Sequence, residues 1–152
     1  MDHPIIGSVL AVAIRTSQRG PMKEVPAATA KVDGGLDTDI PVSRARGITF
    51  LSANQWRQVN KELAVELPWH TRRANVLIDS DSLADLIGKS VRVGPVLLKI
   101  TGETRPCELM DSLHQGLRTA LTPDCRGGVH GRVIEGGTIR VGDQMVVDAP
   151  PL

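Results

Sequence analysis

The chain has 152 residues, a length that suits one domain with a buried core of its own. Its 18 basic and 17 acidic residues nearly cancel, which argues against nucleic acid or a membrane surface as partner, because both normally require a clear basic excess. Two cysteines are too few for a disulfide framework, and no signal-peptide or membrane-spanning pattern opens the sequence, so we expect a cytoplasmic protein.

Most of the predicted elements are short strands. Apolar runs bounded by glycine and proline predict strands at residues 6–14, 23–32, 47–51, 75–78, 91–93 and 96–101. One face of the first strand carries its larger apolar residues, which are Ile6, Leu10, Val12 and Ile14. The last third predicts a meander of hairpins, with strands at residues 129–134, 138–141 and 144–147.

The clearest helix begins at Ser52. Gln55 follows three residues later, the spacing at which an N-cap and the third helical residue satisfy each other's backbone donors. Apolar residues then recur at helical spacing until Pro68 ends the helix. These residues are Trp56, Val59, Leu63 and Leu67.

Two further helices are predicted. Residues 82–88 form a short one that glycine ends, and another begins near Cys107, although Gly116 weakens it by about 1 kcal/mol relative to alanine. The apolar stripe of this second helix is Met110, Leu113, Leu117 and Leu121. We therefore expect a β-rich, α+β fold, a β-barrel-like domain over residues 1–152 (core about 6–147) with two or three helices.

Cys107 is the residue that most indicates chemistry. It lies directly ahead of a predicted helix, with Arg105 two residues before it, and both features favour the thiolate, which is the form that attacks or binds metal. The alternative is a buried structural cysteine. No histidine base accompanies it in a recognisable motif, which favours a metal ligand or sulfur holder over an acylating nucleophile. A bridge to Cys125 is the less favoured possibility, and we expect Cys125 to be structural.

Three other clusters could bind an anion. Arg72-Arg73-Ala74-Asn75 precedes a strand and suits a phosphate or polar heterocycle, or else its arginines face solvent or pair with Glu62 or Glu66. The run from Arg126 to Gly131 offers backbone donors, or its glycines serve only turn geometry. The loop of residues 16–20 carries one cation and is the weakest of the three.

Two common site types are not indicated. The four histidines show no zinc-ligand spacing, and no lysine has the context of a Schiff base, so we do not expect covalently bound pyridoxal phosphate.

Taken in order, these pieces resemble a MOSC domain. The resemblance begins with Ser17-x-Arg19-Gly20-x-Met22 and covers about residues 6–147. It continues through Arg73-x-Asn75-Val76 and Thr104-Arg105-Pro106-Cys107 to the run that follows Arg126. Single pieces are weakly specific, but the ordered set that includes the cysteine is strongly specific.

The resemblance implies a β-barrel-like fold that binds molybdenum cofactor, a molybdopterin with a phosphate tail. It implies that Cys107 is the sulfur ligand of molybdenum, and that Arg73 and Asn75 contact the cofactor. Ser17 and Arg19 match positions that bind its phosphate, more loosely. The other implied cofactor-binding residues are Thr104, Arg105 and Arg126. This chain is shorter than the amidoxime-reducing members of that family, so its pocket is expected to be more open or to be completed by a partner.

Three functions follow from this resemblance. The first is reduction of N-hydroxylated or N-oxide compounds at molybdenum, with electrons from a donor protein. The second is a carrier that holds sulfur on Cys107 as a persulfide, or holds the cofactor, and delivers it to a molybdoenzyme. The third is an interaction domain without metal, which a buried and unreactive Cys107 would favour.

Overall fold

The computed structural model describes residues 4–17, 20–37, 39 and 47–148. Its strands are β1 (Ile5–Arg15), β2 (Met22–Val25), β3 (Ala27–Ala30), β4 (Ile48–Ser52), β5 (Val76–Ile78), β6 (Ser90–Val93), β7 (Val96–Glu103), β8 (Val129–Glu135), β9 (Gly137–Arg140) and β10 (Gln144–Val147). Its helices are α1 (Ala53–Leu63), α2 (Leu109–Leu113) and α3 (Leu117–Leu121). Short 3₁₀ turns occupy Trp69–Arg72, Ala84–Leu86 and Pro123–Cys125.

Seven of the strands close into a barrel. Their order is β1, β10, β6, β7, β8, β4 and β5, and β5 pairs again with β1. The β4–β5 pair is parallel and the other neighbours are antiparallel. β2 extends the sheet from the second half of β1, whereas β3 and β9 form a separate pair. This closed barrel with three helices confirms the predicted β-rich fold.

The chain buries two apolar clusters. The larger fills the barrel, where its bulkiest members have no exposed surface, among them Phe50, Ile78, Leu98, Ile100 and Met145. The smaller lies where the helices pack on the barrel and includes Trp56, Val59, Trp69, Met110, Leu117 and Leu121. The helices are thereby fixed to one region of the barrel wall, and the segment that carries Cys107 leads into α2 there.

The first strand departs from its predicted alternation. The pairing of β1 with β5 shifts between Val9 and Ala11, so one residue is inserted at Leu10. Leu10 is consequently 41% exposed, while Val9 and Val12 both face the core. The prediction that Leu10 shares a buried face with Val12 is wrong, because a bulge reverses the side-chain alternation beyond it.

The predicted strand at 23–32 is two strands. β2 ends before Pro26 and β3 starts after it, and the two belong to different sheets. Proline has no backbone N–H for a strand ladder, which explains the break. The predicted C-terminal meander is also wrong. β8 pairs with β4 and β7, β9 pairs with β3, and β10 pairs with β1 and β6, so each strand takes distant partners.

The helices start where predicted but end earlier. The Ser52 hydroxyl accepts the N–H of Gln55 at 3.3 Å, which confirms the N-cap. α1 stops at Leu63 because Ala64 is left-handed at φ 54°, so the predicted end at Pro68 is wrong. Leu67 still packs against the helix, since its N–H donates to the Asn60 side chain at 2.6 Å.

The helix predicted after Cys107 is broken in two. Gly116 has a φ of 87° and separates α2 from α3, so the prediction of one continuous helix from Met110 to Leu121 is wrong. Leu113 at the end of α2 is 42% exposed, whereas Met110, Leu117 and Leu121 are buried. The helix predicted at residues 82–88 is a 3₁₀ turn at Ala84–Leu86.

No helix within the described ranges combines the length and apolarity needed to cross a bilayer.

Candidate functional site

A 3₁₀ turn directs two consecutive arginines in different directions. The turn Trp69–Arg72 ends at Arg73, which adopts a left-handed φ of 66° and donates its backbone N–H to the carbonyl of His70 at 2.9 Å. Trp69 anchors the turn in the apolar cluster beside the barrel, and its indole N–H donates to the carboxylate of Glu24. Because the backbone changes hand at Arg73, the two guanidinium groups diverge.

Arg72 is directed inward and is 6% exposed. Its Nη2 donates to the carbonyl of Thr104 at 2.9 Å and its Nε donates to the carbonyl of Gly127 at 3.0 Å. Its Nη1 lies 3.7 Å from the sulfur of Met110. Arg72 therefore joins the segment that leads to Cys107 to the glycine turn ahead of β8, a structural role for an arginine that the sequence could not separate from Arg73.

Arg73 is half-buried and faces the loop after β1. Its Nη1 donates to the carbonyl of Gly20, and its Nη2 lies 3.5 Å from the carbonyl of Ser17. Burial lowers the pKa of Arg73, and the charge of Arg15 lowers it further, whereas Asp39 and Cys107 act in the opposite direction. Cys107 is thus near enough to interact electrostatically with this guanidinium, so the structure brings these two predicted site residues together.

A buried polar network supports the backbone of Arg73. The Arg15 guanidinium forms a salt bridge with Asp39 at 2.9 Å, and its Nη2 donates to the Arg73 carbonyl at 3.1 Å. Asn75 is fully buried, and its side-chain amide donates to the Ala13 carbonyl and to Asp39, both at 3.2 Å. One ion pair and one side-chain amide therefore connect β1, Asp39 and the segment of residues 73–75.

The side-chain polar atoms of Asn75 all form hydrogen bonds within the protein. Besides the two bonds from its amide nitrogen, its Oδ1 accepts the backbone N–H and the hydroxyl of Thr49, at 3.1 and 3.0 Å. These bonds join β4 to the start of β5. Direct contact between Asn75 and a cofactor stays a prediction, and the described contacts support a positioning role.

Cys107 itself is an exposed, free thiol. Its carbonyl accepts the N–H of Met110 at 3.0 Å, which starts the turn into α2, but α2 is only five residues long and has no side-chain cap. Arg105, the cation expected to favour the thiolate, has an 86% exposed side chain and lies 3.8 Å from Glu103. Thr104 is buried, and its hydroxyl is without a hydrogen-bond partner among the described residues.

A cavity of about 250 Å³ lies on the same side as Arg73. Its walls come from the loop after β1, from the 3₁₀ turn and from the end of α2. The lining residues are Gly20, Pro21, Met22, His70, Thr71, Arg73 and Leu113. His70 and Thr71 were not indicated by the sequence, since a histidine outside any metal spacing and a threonine beside two arginines carry no motif.

Arg126 and Cys125 are not among the residues that line this cavity. The Arg126 guanidinium is 2.6 Å from Glu62, and it donates to the carbonyl of Ala120 at 3.0 Å, so its described contacts are with α1 and α3. Cys125 is free and partly exposed, with a positive φ of 56°. Burial raises the pKa of the Cys125 thiol, and the neighbouring carboxylate of Glu103 raises it further.

Apart from Asn75, which is described above, the predicted site residues fall into three groups. Arg73 lines the cavity, contacts the backbone carbonyl of Ser17 and is within electrostatic reach of Cys107. Thr104, Arg105 and Arg126 lie around the base of the segment that carries the cysteine. Arg19 lies outside the described residues.

Known structures share this fold across nearly the whole chain. The YuaD protein of Bacillus subtilis superimposes with a TM-score of 0.78 at 17% identity, covering 93% of this chain and 94% of its own. YiiM from Geobacillus stearothermophilus gives a TM-score of 0.70 at 14% identity, covering 97% of this chain and 76% of that one. YiiM from Escherichia coli gives 0.71 at 13% identity, covering 95% and 71%. At these identities the likeness establishes the fold alone.

Sequence comparison identifies the family. No curated protein matches the chain. The MOSC domain model matches residues 37–146, which include β4 to β9, all three helices and Cys107. Together with the closed barrel, this match over most of the sequence shows that the chain belongs to the MOSC domain family.

Proposed function

We propose that this protein binds molybdenum cofactor and reduces N-hydroxylated or N-oxide compounds, with Cys107 as the sulfur ligand of molybdenum. The observation that carries the proposal is the position of Cys107, an exposed thiol within electrostatic reach of Arg73, and Arg73 lines a cavity. A thiolate ligand and a cation for an anionic tail are two features that this cofactor requires.

The donor set fits a metal that arrives with other ligands. Within the described ranges, no three His, Cys, Asp or Glu side chains are grouped so as to hold a metal ion. A single thiolate therefore suits a metal already carried by dithiolene sulfurs, and soft sulfur ligands favour such a site. When bound, the cofactor would supply two-electron redox chemistry.

The residues of this chain would bind the cofactor and orient it. Cys107 fixes the position of the metal, and Arg73 neutralises negative charge on the cofactor. Reduction of an amidoxime consumes two electrons and two protons, breaks the N–O bond, and yields an amidine and water. The electrons come from a separate donor protein.

A second function is supported by the exposure of Cys107. A thiol at the surface is accessible to a sulfur-donor protein, so Cys107 could hold a persulfide and pass its outer sulfur to a molybdoenzyme. This function needs no enclosed substrate pocket. For either function we expect the protein in the cytoplasm, where thiols remain reduced.

Metal analysis of protein from a molybdenum-replete host tests the proposal. We expect close to one molybdenum per chain, lost in Cys107→Ala and retained in the matched control Cys125→Ala, together with reduction of benzamidoxime by a chemical electron donor. A persulfide on Cys107 without molybdenum would instead establish the carrier. If Cys107 carries neither group and the folded protein resists alkylation there, both functions fail and the interaction domain remains.

A further inference from the structure

Three residues in and just after the 3₁₀ turn at Trp69–Arg72 carry hydrogen-bond donors and line one cavity. His70, Thr71 and Arg73 all line the cavity of about 250 Å³, opposite an apolar wall that includes Met22 and Leu113. Small ligand sites are typically apolar with a few convergent polar groups that fix orientation. One short segment thus contributes a histidine, a threonine and an arginine to the lining of the same cavity.

The described contacts leave some donor hydrogens of these three side chains free to bind a ligand. The described contact of the His70 ring is an edge-on approach to Trp69, with centroids 6.1 Å apart. Thr71 uses its backbone N–H, which donates to the Pro68 carbonyl at 3.0 Å, and no described residue bonds its hydroxyl. Arg73 donates only to neutral carbonyls among the described residues.

Two carboxylates that interact with this region, Asp39 and Glu24, already have partners. Asp39 is paired with Arg15, and Glu24 accepts the indole N–H of Trp69. The cavity therefore contains a guanidinium without a carboxylate of its own among the described residues. A partly buried cation in this situation is stabilised by an anionic ligand, because burial has removed part of its hydration.

We propose that His70, Thr71 and Arg73 form a seat for a phosphate monoester. The phosphate group offers three acceptor oxygens to three donors, and a guanidinium binds it through two parallel bonds. The cavity is smaller than the roughly 300–1,000 Å³ of pockets that enclose drug-sized ligands, so it suits a phosphate and a few adjoining atoms. This inference rests on the proposed function, in which the phosphate is the tail of the cofactor, and it adds His70 and Thr71 to the residues that hold it.

Titration of the purified cofactor-free chain with inorganic phosphate tests the seat. The backbone amide resonance of Thr71 is followed by NMR at constant pH and ionic strength, with chloride as the control anion. We expect saturable shifts of this amide, and a dissociation constant raised about tenfold by His70→Ala, the effect of losing one hydrogen bond to a charged group. His114→Ala is the matched control and should bind as the wild type does, because His114 bonds the Gln115 carbonyl outside the cavity.

Two results would overturn the seat. One is a shift that grows without saturation, and the other is equal affinity in wild type, His70→Ala and the second variant, Thr71→Val. The cofactor-loaded protein identifies the source of the phosphate. If the tail occupies the seat, added phosphate no longer shifts the Thr71 amide. If a free anion is the ligand, the loaded protein still responds.

The failure of this inference is separable from failure of the proposed function. If the chain binds phosphate through His70 but never carries molybdenum, the phosphate seat stands and the proposed reductase function fails. If the chain carries molybdenum, retains it in His70→Ala, and shows no phosphate response when it is free of cofactor, only the phosphate seat fails.

Discussion

Replacement of Asn75 by aspartate tests whether the buried amide is what joins Arg73 to the barrel. The substitution preserves shape and leaves an oxygen that can still accept from Thr49, but it places a carboxylate where the amide now donates to Asp39. Coulomb's law at an effective dielectric constant of about 20 gives about 5 kcal/mol for two unit charges separated by the present 3.2 Å. The Arg15 guanidinium, 2.9 Å from Asp39, offsets part of this repulsion, so we expect about 2–4 kcal/mol of lost stability.

Urea unfolding followed by tryptophan fluorescence measures this loss, since Trp56 and Trp69 are both buried. We expect the full loss near pH 7.5 and a smaller one near pH 5, because two close carboxylates share a proton at lower pH and the repulsion then disappears. The exchange Asn75→Asp with Asp39→Asn restores one charge and one amide and should recover at least half of the loss. Stability within about 1 kcal/mol of wild type at pH 7.5, or an equal loss at both pH values, would refute this account.

Two other predictions follow from local geometry. Cys125 should be alkylated several-fold faster in Glu103→Gln than in wild type at pH 8, because removal of the carboxylate lowers the pKa of the Cys125 thiol and increases its thiolate fraction. Iodoacetamide labelling with peptide mapping measures the rate, and an unchanged rate would contradict the interaction between Cys125 and Glu103. Gly128→Ala should cost more than about 3 kcal/mol or abolish soluble expression, because its Cβ would lie 2.1 Å from the Phe50 carbonyl oxygen. Gly88→Ala is its control, with a similar positive φ and open space, and should cost about 1 kcal/mol; equal losses in the two variants would show that the clash is unimportant.

Local patterns predicted the elements better than their partners. Ser52 and Gln55 defined the start of α1, and the glycine–proline turn after β6 marked the β6–β7 hairpin, because both depend on neighbours in sequence. The C-terminal strands could not be paired from the sequence, since β10 joins strands more than 40 residues away. Strand partners in a barrel depend on closure, which short-range patterns do not encode.

The site shows the same division. The sequence singles out Cys107 and Arg73 because each belongs to a recognisable ordered motif; their roles stay predictions, and the two residues lie within electrostatic reach of each other. The inward direction of Arg72 was not predictable, since it depends on the left-handed turn at the next residue and on distant carbonyls. His70 reaches the cavity only because α2 and the loop after β1 converge there.

The pairing of β1 with β10 has a consequence for how the protein is made. β10 is the last of the described strands in chain order, and it closes the barrel by pairing with both β1 and β6. Until Gln144–Val147 have been synthesised, the first four residues of β1 and the edge of β6 lack their partner strand, and such unpaired edges invite association with other chains. Contacts between strands so far apart in sequence also slow folding. We therefore expect barrel closure to come late in folding, and a nascent chain that stalls before Gln144 to be the form most prone to aggregate.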